Sequence, residues 1–270
     1  MSRRYIYPIL VLLVTVGLYY ANEYVDKQNE VYPQSEEVQE SDKEFDGSFL
    51  PKSTTGSIVA HNYFTLSYSE PHEQAEWVAY ELLPKHLTKD EFDRPYFVED
   101  RKVKTGSADW RNYKNSGYDR GHLCPAGDRR FSYNAYLETF LTSNISPQDR
   151  KFNGGIWNRL EQKVRYWCKQ FDGVYVITGG ILKDNLPGIG EEEVAIPEAF
   201  YKVVLDRRGD SFSAIAFIIP NQPTDRSFYE YAVPIDEVEA QTGIDFFFQL
   251  EDALENKLES TIDLKSWGQR

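Results

Sequence analysis

Only four of the 270 residues are histidines, and one of them sits where acid–base chemistry can be done. His122 lies in DRGHLCPAGD, from Asp119 to Asp128. Arg120 offers a planar fork for phosphate oxygens, and Gly121 lets the backbone approach a ligand. A neutral imidazole near pH 7 is a competent base for water. Asp119 reads equally as a carboxylate that fixes geometry or as a plain turn aspartate. Two further polar clusters follow, SNISPQ (Ser143 to Gln148) and FNGGIWNRLE (Phe152 to Glu161). On residue types alone Asn153 is a helix cap and Glu161 a surface glutamate. The other histidines have structural settings: His61 in a predicted strand, His72 in a loop, His86 in PKHLTKD.

These residues need a scaffold, and the apolar patterning supplies one. His61 to Ser69, Glu76 to Leu82 and Gly173 to Gly180 are rich in aromatic and β-branched residues and read as strands. Phe200 to Leu205 and Phe212 to Pro220 form another pair around the turn signal DRRGD. Gly155 to Phe171 carries apolar residues at Ile156, Leu160, Val164 and Trp167, which is helical spacing, and Asp236 to Gln241 reads likewise. Strands and helices do not alternate strictly, so the reading is an α+β domain with a central, largely antiparallel sheet flanked by helices.

The formal net charge of −13 argues at first against a polyanionic partner, because phosphate binding needs a basic surface. Its distribution reverses that argument. Residues 1–93 carry roughly −9, residues 94–170 roughly +7 and residues 171–270 roughly −11. The basic third holds all three polar clusters. Cys124 and Cys168 have neither a CxxC partner nor a metal-finger spacing; Trp167 beside Cys168 favours buried small apolar residues over a disulfide.

Arg3 and Arg4 precede an uncharged run that continues to Ala21 with tyrosines at both ends. At about 17 to 20 residues it is long enough to span a bilayer. Residues 1–21 are therefore expected to be a membrane anchor or uncleaved signal, with the rest of the chain on the extracytoplasmic side. Tyr19 and Tyr20 spoil the small-x-small pattern of a cleavage site; were the segment cleaved, the protein would be secreted or periplasmic. Residues 22–56 are acidic and polar and read as a flexible linker, leaving residues 57–270 as the domain.

The three clusters together resemble the DNA/RNA non-specific endonucleases, the ββα-metal nuclease family that includes endonuclease G. Its signature is DRGH, an apolar residue, three variable positions and a small residue, which His122, Leu123 and Gly127 satisfy. The likeness extends through SNISPQ and FNGGIW and covers about Asn62 to Phe248. It implies a ββα-metal fold and hydrolysis of phosphodiester bonds in DNA and RNA to 5′-phosphate products. By the same resemblance His122 is the general base, Asn153 the single protein ligand to Mg2+ (with Mn2+ as the alternative), and Glu161 the carboxylate that holds metal-bound water. Asn144 supports the site, Arg120 belongs to the signature, and Arg94 is the candidate phosphate-binding arginine, with Arg101 or Arg111 as substitutes. Gln148 would stand behind these residues. The competing readings are a phosphodiesterase on other nucleotide substrates, a catalytically inactive nucleic-acid-binding protein, and an anchored scaffold.

Overall fold

The computed structural model describes residues 13–18, 20, 47, 49–54, 56–206 and 212–268. The chain forms two compact units, residues 1–42 and 43–270. In the first, residues 13–18 and 20 are helical. The greater part of the expected anchor and linker lies outside the described residues. Among the described residues no helix is long and apolar enough to cross a membrane.

The second unit is built on a seven-stranded sheet in the order β1 (Ser57–Ala60), β2 (Thr65–Ser69), β3 (Gln74–Leu82), β6 (Val174–Gly180), β9 (Ala199–Asp206), β10 (Ser213–Pro220) and β11 (Ala232–Val233). Every neighbouring pair is antiparallel. The central strands are buried on both faces, and the pleat sorts their side chains between two cores. Val78, Tyr80, Val176, Phe200, Val204, Ile215 and Phe217 face one core. Trp77, Ala79, Tyr175, Ile177, Tyr201, Val203 and Leu205 face the other.

The first core is closed by a long helix, which buries Leu160, Val164, Trp167, Cys168 and Phe171 along one stripe. With α1 (Tyr133–Glu138) before it, this helix is α2 (Asn158–Phe171). The C-terminal tail seals its far end: the indole nitrogen of Trp167 donates to the carbonyl of the fully buried Trp267 at 2.9 Å. The second core is covered by α3 (Ile235–Thr242) and α4 (Asp252–Ser260). A third, smaller core containing Phe97, Tyr136, Phe140 and Ile145 lies beneath a separate hairpin, β4 (Asp119–His122) and β5 (Ile145–Gln148). A two-residue pair, β7 (Gly188–Ile189) and β8 (Val194–Ala195), completes the strands.

Several elements depart from the patterning. The predicted strand from His61 begins only at Thr65, because His61 accepts a turn in which its N–H bonds to the carbonyl of Phe64. The chain before residue 57, read as linker, is partly docked: Phe49 packs edge-on against Tyr175, Phe212 and Phe247, and Lys52 pairs with Asp245 at 2.5 Å. Acidic composition concealed two apolar anchors, Phe49 and Leu50. Both cysteines are buried and free.

Candidate active site

The hairpin that carries the signature owes its shape to glycine and asparagine. Asp119 faces Gln148 across the pair, Gly121 faces Ser146, and His122 faces Ile145. The Gln148 side chain lies across Gly121 so closely that a Cβ there would sit 2.1 Å from its Cδ. Only glycine permits that approach. Ser146 ties the hairpin to β3 by donating to Gln74 Oε1 at 2.5 Å. Asn144, fully buried, accepts from Cys124 N at 2.7 Å and donates to the carbonyls of Cys124 and Thr139 at 3.0 and 2.9 Å. It therefore fixes the backbone immediately after His122.

His122 is half-buried between aromatic rings, 5.6 Å from Phe97 and 5.1 Å, edge-on, from Phe140. The Arg94 guanidinium stands 5.7 Å from each of those rings, and Arg120 lies 5.0 Å from Phe97 and 5.8 Å from Trp110. Burial pushes the His122 imidazole down to about 3, and the charge of Arg94 pushes in the same direction. The ring is neutral at physiological pH, and its Nε2 has no hydrogen-bond partner among the described residues. Arg111 is engaged by Asp109 at 2.5 Å, whereas the charge of Arg94 reaches the His122 ring.

Asn153 is not the helix cap its position suggests. Asp149 caps the turn Arg150–Phe152, accepting from Lys151 N and Phe152 N at 2.8 and 2.9 Å. Asn153 instead donates its Nδ2 to Asp119 Oδ2 at 3.2 Å, while the other Asp119 oxygen accepts from Arg150. A carboxylate only accepts, so the amide nitrogen must face it and the Asn153 carbonyl oxygen is turned the other way. Between Asn153 and α2 the chain makes a wide turn, Asn153–Trp157, with a kink at Gly155 (φ −104°, ψ −107°). Eight residues of regular helix rotate by about 800°, some 80° beyond two turns. A wider turn holds more residues per revolution and takes up part of that excess.

Glu161 is no surface glutamate; its side chain is 14% exposed. It pairs with Arg165 at 3.6 Å, which also grips Asp128 at 2.5 Å, and Asp128 accepts from Tyr80 at 2.8 Å. Gly127 leaves room beside this cluster, since a Cβ there would sit 2.8 Å from Arg165 Nη2 and the guanidinium would have to shift. Lys202, on the face of β9 shared by Phe200 and Val204, has a buried, unpartnered Nζ 4.7 Å from the Trp157 ring centroid. Burial pushes Glu161 up to about 7 against the opposing charges of Lys202 and Arg165. Burial likewise pushes Lys202 down to about 8 against Glu161 and Asp128.

A hard divalent cation that keeps much of its water asks for one or two well-aimed oxygens. The oriented carbonyl of Asn153 meets that demand, with Asp119 behind it; these residues fit such an ion.

The structure thus gathers His122, Arg94 and Arg120 around Phe97 and joins Asn153 to the same hairpin through Asp119. Glu161 stands in a charged cluster reached from β4 through Asp128, and Asn144 lies beneath. His61 bonds Asp100 at 2.8 Å, His72 bonds Ser69 and His86 bonds Leu83, all structural settings. Sequence reasoning missed the partnership of Asp119, the aromatic platform and Lys202. A lone lysine between Tyr201 and Val203 in the strand AFYKVVLD was a usable signal for the last.

Residues 46–253 match the family model described as DNA/RNA non-specific endonuclease. The mitochondrial nuclease EXOG of Danio rerio is 34% identical over 215 residues, 73% of this chain and 62% of that protein. The mitochondrial endonuclease G of Homo sapiens is 32% identical, covering 70% of this chain and 69% of that one. Nuclease C1 of Cunninghamella echinulata is 34% identical, covering 73% and 85%. This chain spans about three fifths of the length of the EXOG relatives it matches. The crystal structure of an EndoG/EndoGI complex superposes with a TM-score of 0.68 at 31% identity, covering 73% of this chain and 88% of that chain. The hairpin and following helix are the ββα unit of that fold. With the match running through both hairpin strands and the helix that follows, this chain belongs to the DNA/RNA non-specific endonuclease family.

Proposed function

We propose that this protein is a metal-dependent endonuclease that hydrolyses phosphodiester bonds of DNA and RNA without regard to sequence, leaving 5′-phosphate ends. The observation that carries this reading is a neutral His122 whose Nε2 has no hydrogen-bond partner among the described residues, on the same strand as the Asp119 that holds the Asn153 amide and turns its carbonyl outward. Arg94 and Arg120 grip non-bridging phosphate oxygens, so contacts go to the backbone and not to base edges. His122 takes a proton from water; the water oxygen bonds to phosphorus in line as the bond to the sugar oxygen breaks. Asn153 would hold the divalent ion, Mg2+ or Mn2+, and Glu161 would hold its water. When bound, such an ion neutralises charge developing on the phosphate and the leaving oxygen. No covalent intermediate is required.

The test is digestion of plasmid and total RNA with and without chelator, using wild type, Asn153→Ala and Glu161→Ala. Both nucleic acids should be cut, chelator should stop cutting, and Asn153→Ala should be the more damaging change. Glu161→Ala acts through water, where losses run to about 10- to 100-fold. Cleavage indifferent to chelator, or equal damage from the two variants, would remove the single-asparagine metal site. Binding without cleavage would leave an inactive nucleic-acid-binding protein, and turnover confined to small diesters a phosphodiesterase.

The segment before Ala21 supports a further proposal, that the chain is anchored in a membrane with its nuclease domain on the extracytoplasmic side, or released there if the segment is cleaved. Full-length protein recovered as soluble, or a domain untouched when intact cells are treated with protease, would end the anchored version.

A further inference from the structure

Away from the hairpin, three carboxylates converge where α3 meets α4. One oxygen from each of Asp236, Glu239 and Glu259 lies within 4.8 Å of the others. Asp236 is exposed, Glu239 half-buried, and Glu259 buried at 7% exposure. Like charges at such separations repel, and the repulsion strengthens as water is excluded. Glu239 has one oxygen committed to Phe246 N at 2.8 Å. Glu259 has not: its Oε1 is buried without a hydrogen-bond partner among the described residues. A buried carboxylate oxygen left unpaired is costly, and a group aimed into a ring of acids calls for a cation or a proton. Asp245, whose charge also acts on Glu259, is itself paired with Lys52 at 2.5 Å. Glu259 is held up to about 8 by burial and by Glu239, Glu255, Asp236 and Asp245.

We propose that Asp236, Glu239 and Glu259 form a divalent-cation site, suited to Ca2+, that ties α3 to α4 independently of the hairpin. Oxygens sharing one Ca2+ at its usual bond lengths stand no more than about 4.6–5.2 Å apart, which the spacing of the three satisfies. Ca2+ accepts several carboxylates in irregular arrangements, whereas Mg2+ demands a near-ideal octahedron and gives up water reluctantly. The exposed Asp236 provides the entry path and room for waters that complete the shell. Glu259 lies beyond residues 46–253, which match the family model, so one of the three ligands comes from outside the matched region. The ion would stabilise the covering of the second core, where Ile235, Val238 and Leu258 are buried.

The test is calcium titration of the full-length protein, followed by calorimetry and by thermal unfolding, in wild type, Asn153→Ala, Glu259→Gln and Asp236→Asn. Wild type should bind Ca2+ with a Kd on the order of 10⁻⁴–10⁻³ M, and its Tm should rise by about 5–10 °C at a hundredfold excess over Kd. Asn153→Ala, which removes the ion proposed for the hairpin, should keep that rise. Glu259→Gln should lose it while remaining folded, since a neutral amide relieves the repulsion; Asp236→Asn should weaken binding at least tenfold. No binding up to 10 Kd of that range, a rise that survives both carboxamide variants, or one that vanishes with Asn153→Ala would overturn the site. The last two outcomes leave the hairpin's chemistry untouched, and a calcium rise without nuclease activity would leave this site standing.

Discussion

At the level of single residues, the active hairpin is set by what His122 lacks. Among the described residues its ring has aromatic walls and a neighbouring arginine, which keep the proposed base unprotonated. Removing it in His122→Ala should cut turnover by about 10²- to 10⁴-fold while leaving fold and substrate binding near normal. Near-normal cleavage by that variant would exclude His122 as the base. The depressed pKa has a signed consequence for pH. For a general base the neutral form would be the active one, and with a folded pKa of about 3 it persists well below the ordinary value of 6.5. Wild-type kcat/KM should therefore show no acid limb at 6.5 from this group. A nearby cation disfavours imidazolium, so Arg94→Ala should raise the pKa and move the acid limb to higher pH. An anionic phosphate seated against Arg94 acts in the same direction, so the limb in kcat should lie above that in kcat/KM. Identical profiles for wild type and Arg94→Ala would show that Arg94 does not act on His122.

At the level of elements, the ββα unit is a device for bringing residues 34 positions apart into register. Asp119, on β4, holds the Asn153 amide at the start of the helical segment. Asp119→Ala should cost little stability, because its ion-pair partner Arg150 is 81% exposed and such pairs contribute about 0–1 kcal/mol. It should raise the metal concentration needed for half-maximal activity by about 10- to 100-fold, as lost supports of metal ligands commonly do. An unaltered metal requirement would make Asp119 the turn aspartate that its sequence position equally allows. Asn144 behaves oppositely. Its three buried bonds to backbone groups cannot be replaced by water, so Asn144→Ala should cost about 2–4 kcal/mol in denaturant unfolding. A loss confined to kcat with stability intact would instead place Asn144 at the reacting atoms.

At the level of the whole molecule, the proposed binding of a polyanion by an acidic protein rests on basic residues concentrated in one third of the chain. Arg94 and Arg120 stand together over Phe97, although 26 residues separate them. Binding to duplex DNA should weaken steeply with salt, and Arg94→Ala should reduce the slope of log K against log salt by about 0.9, the share of one phosphate contact. A slope unchanged by the substitution would mean that Arg94 meets no phosphate.

The sequence by itself determined the chemistry-bearing runs and the class of fold. DRGH, SNISPQ and FNGGIW are contiguous, and strands such as GVYVITGG and FSAIAFIIP declare themselves because β-branched and aromatic residues suit a pleated sheet. The helix stripe through Leu160, Val164 and Trp167 is equally local, set by 3.6 residues per turn. Tertiary structure alone decided what each polar side chain faces. Asn153 reads as a cap until Asp149 is seen to occupy that role, and Glu161 reads as a surface acid until β9 brings Lys202 against its helix. The docking of Phe49 under Tyr175, and the meeting of Asp236 and Glu239 with Glu259, are likewise invisible to periodicity. Local patterning fixes which face of an element is apolar; partners distant in sequence are fixed only when the sheet closes its two cores and excludes water between them.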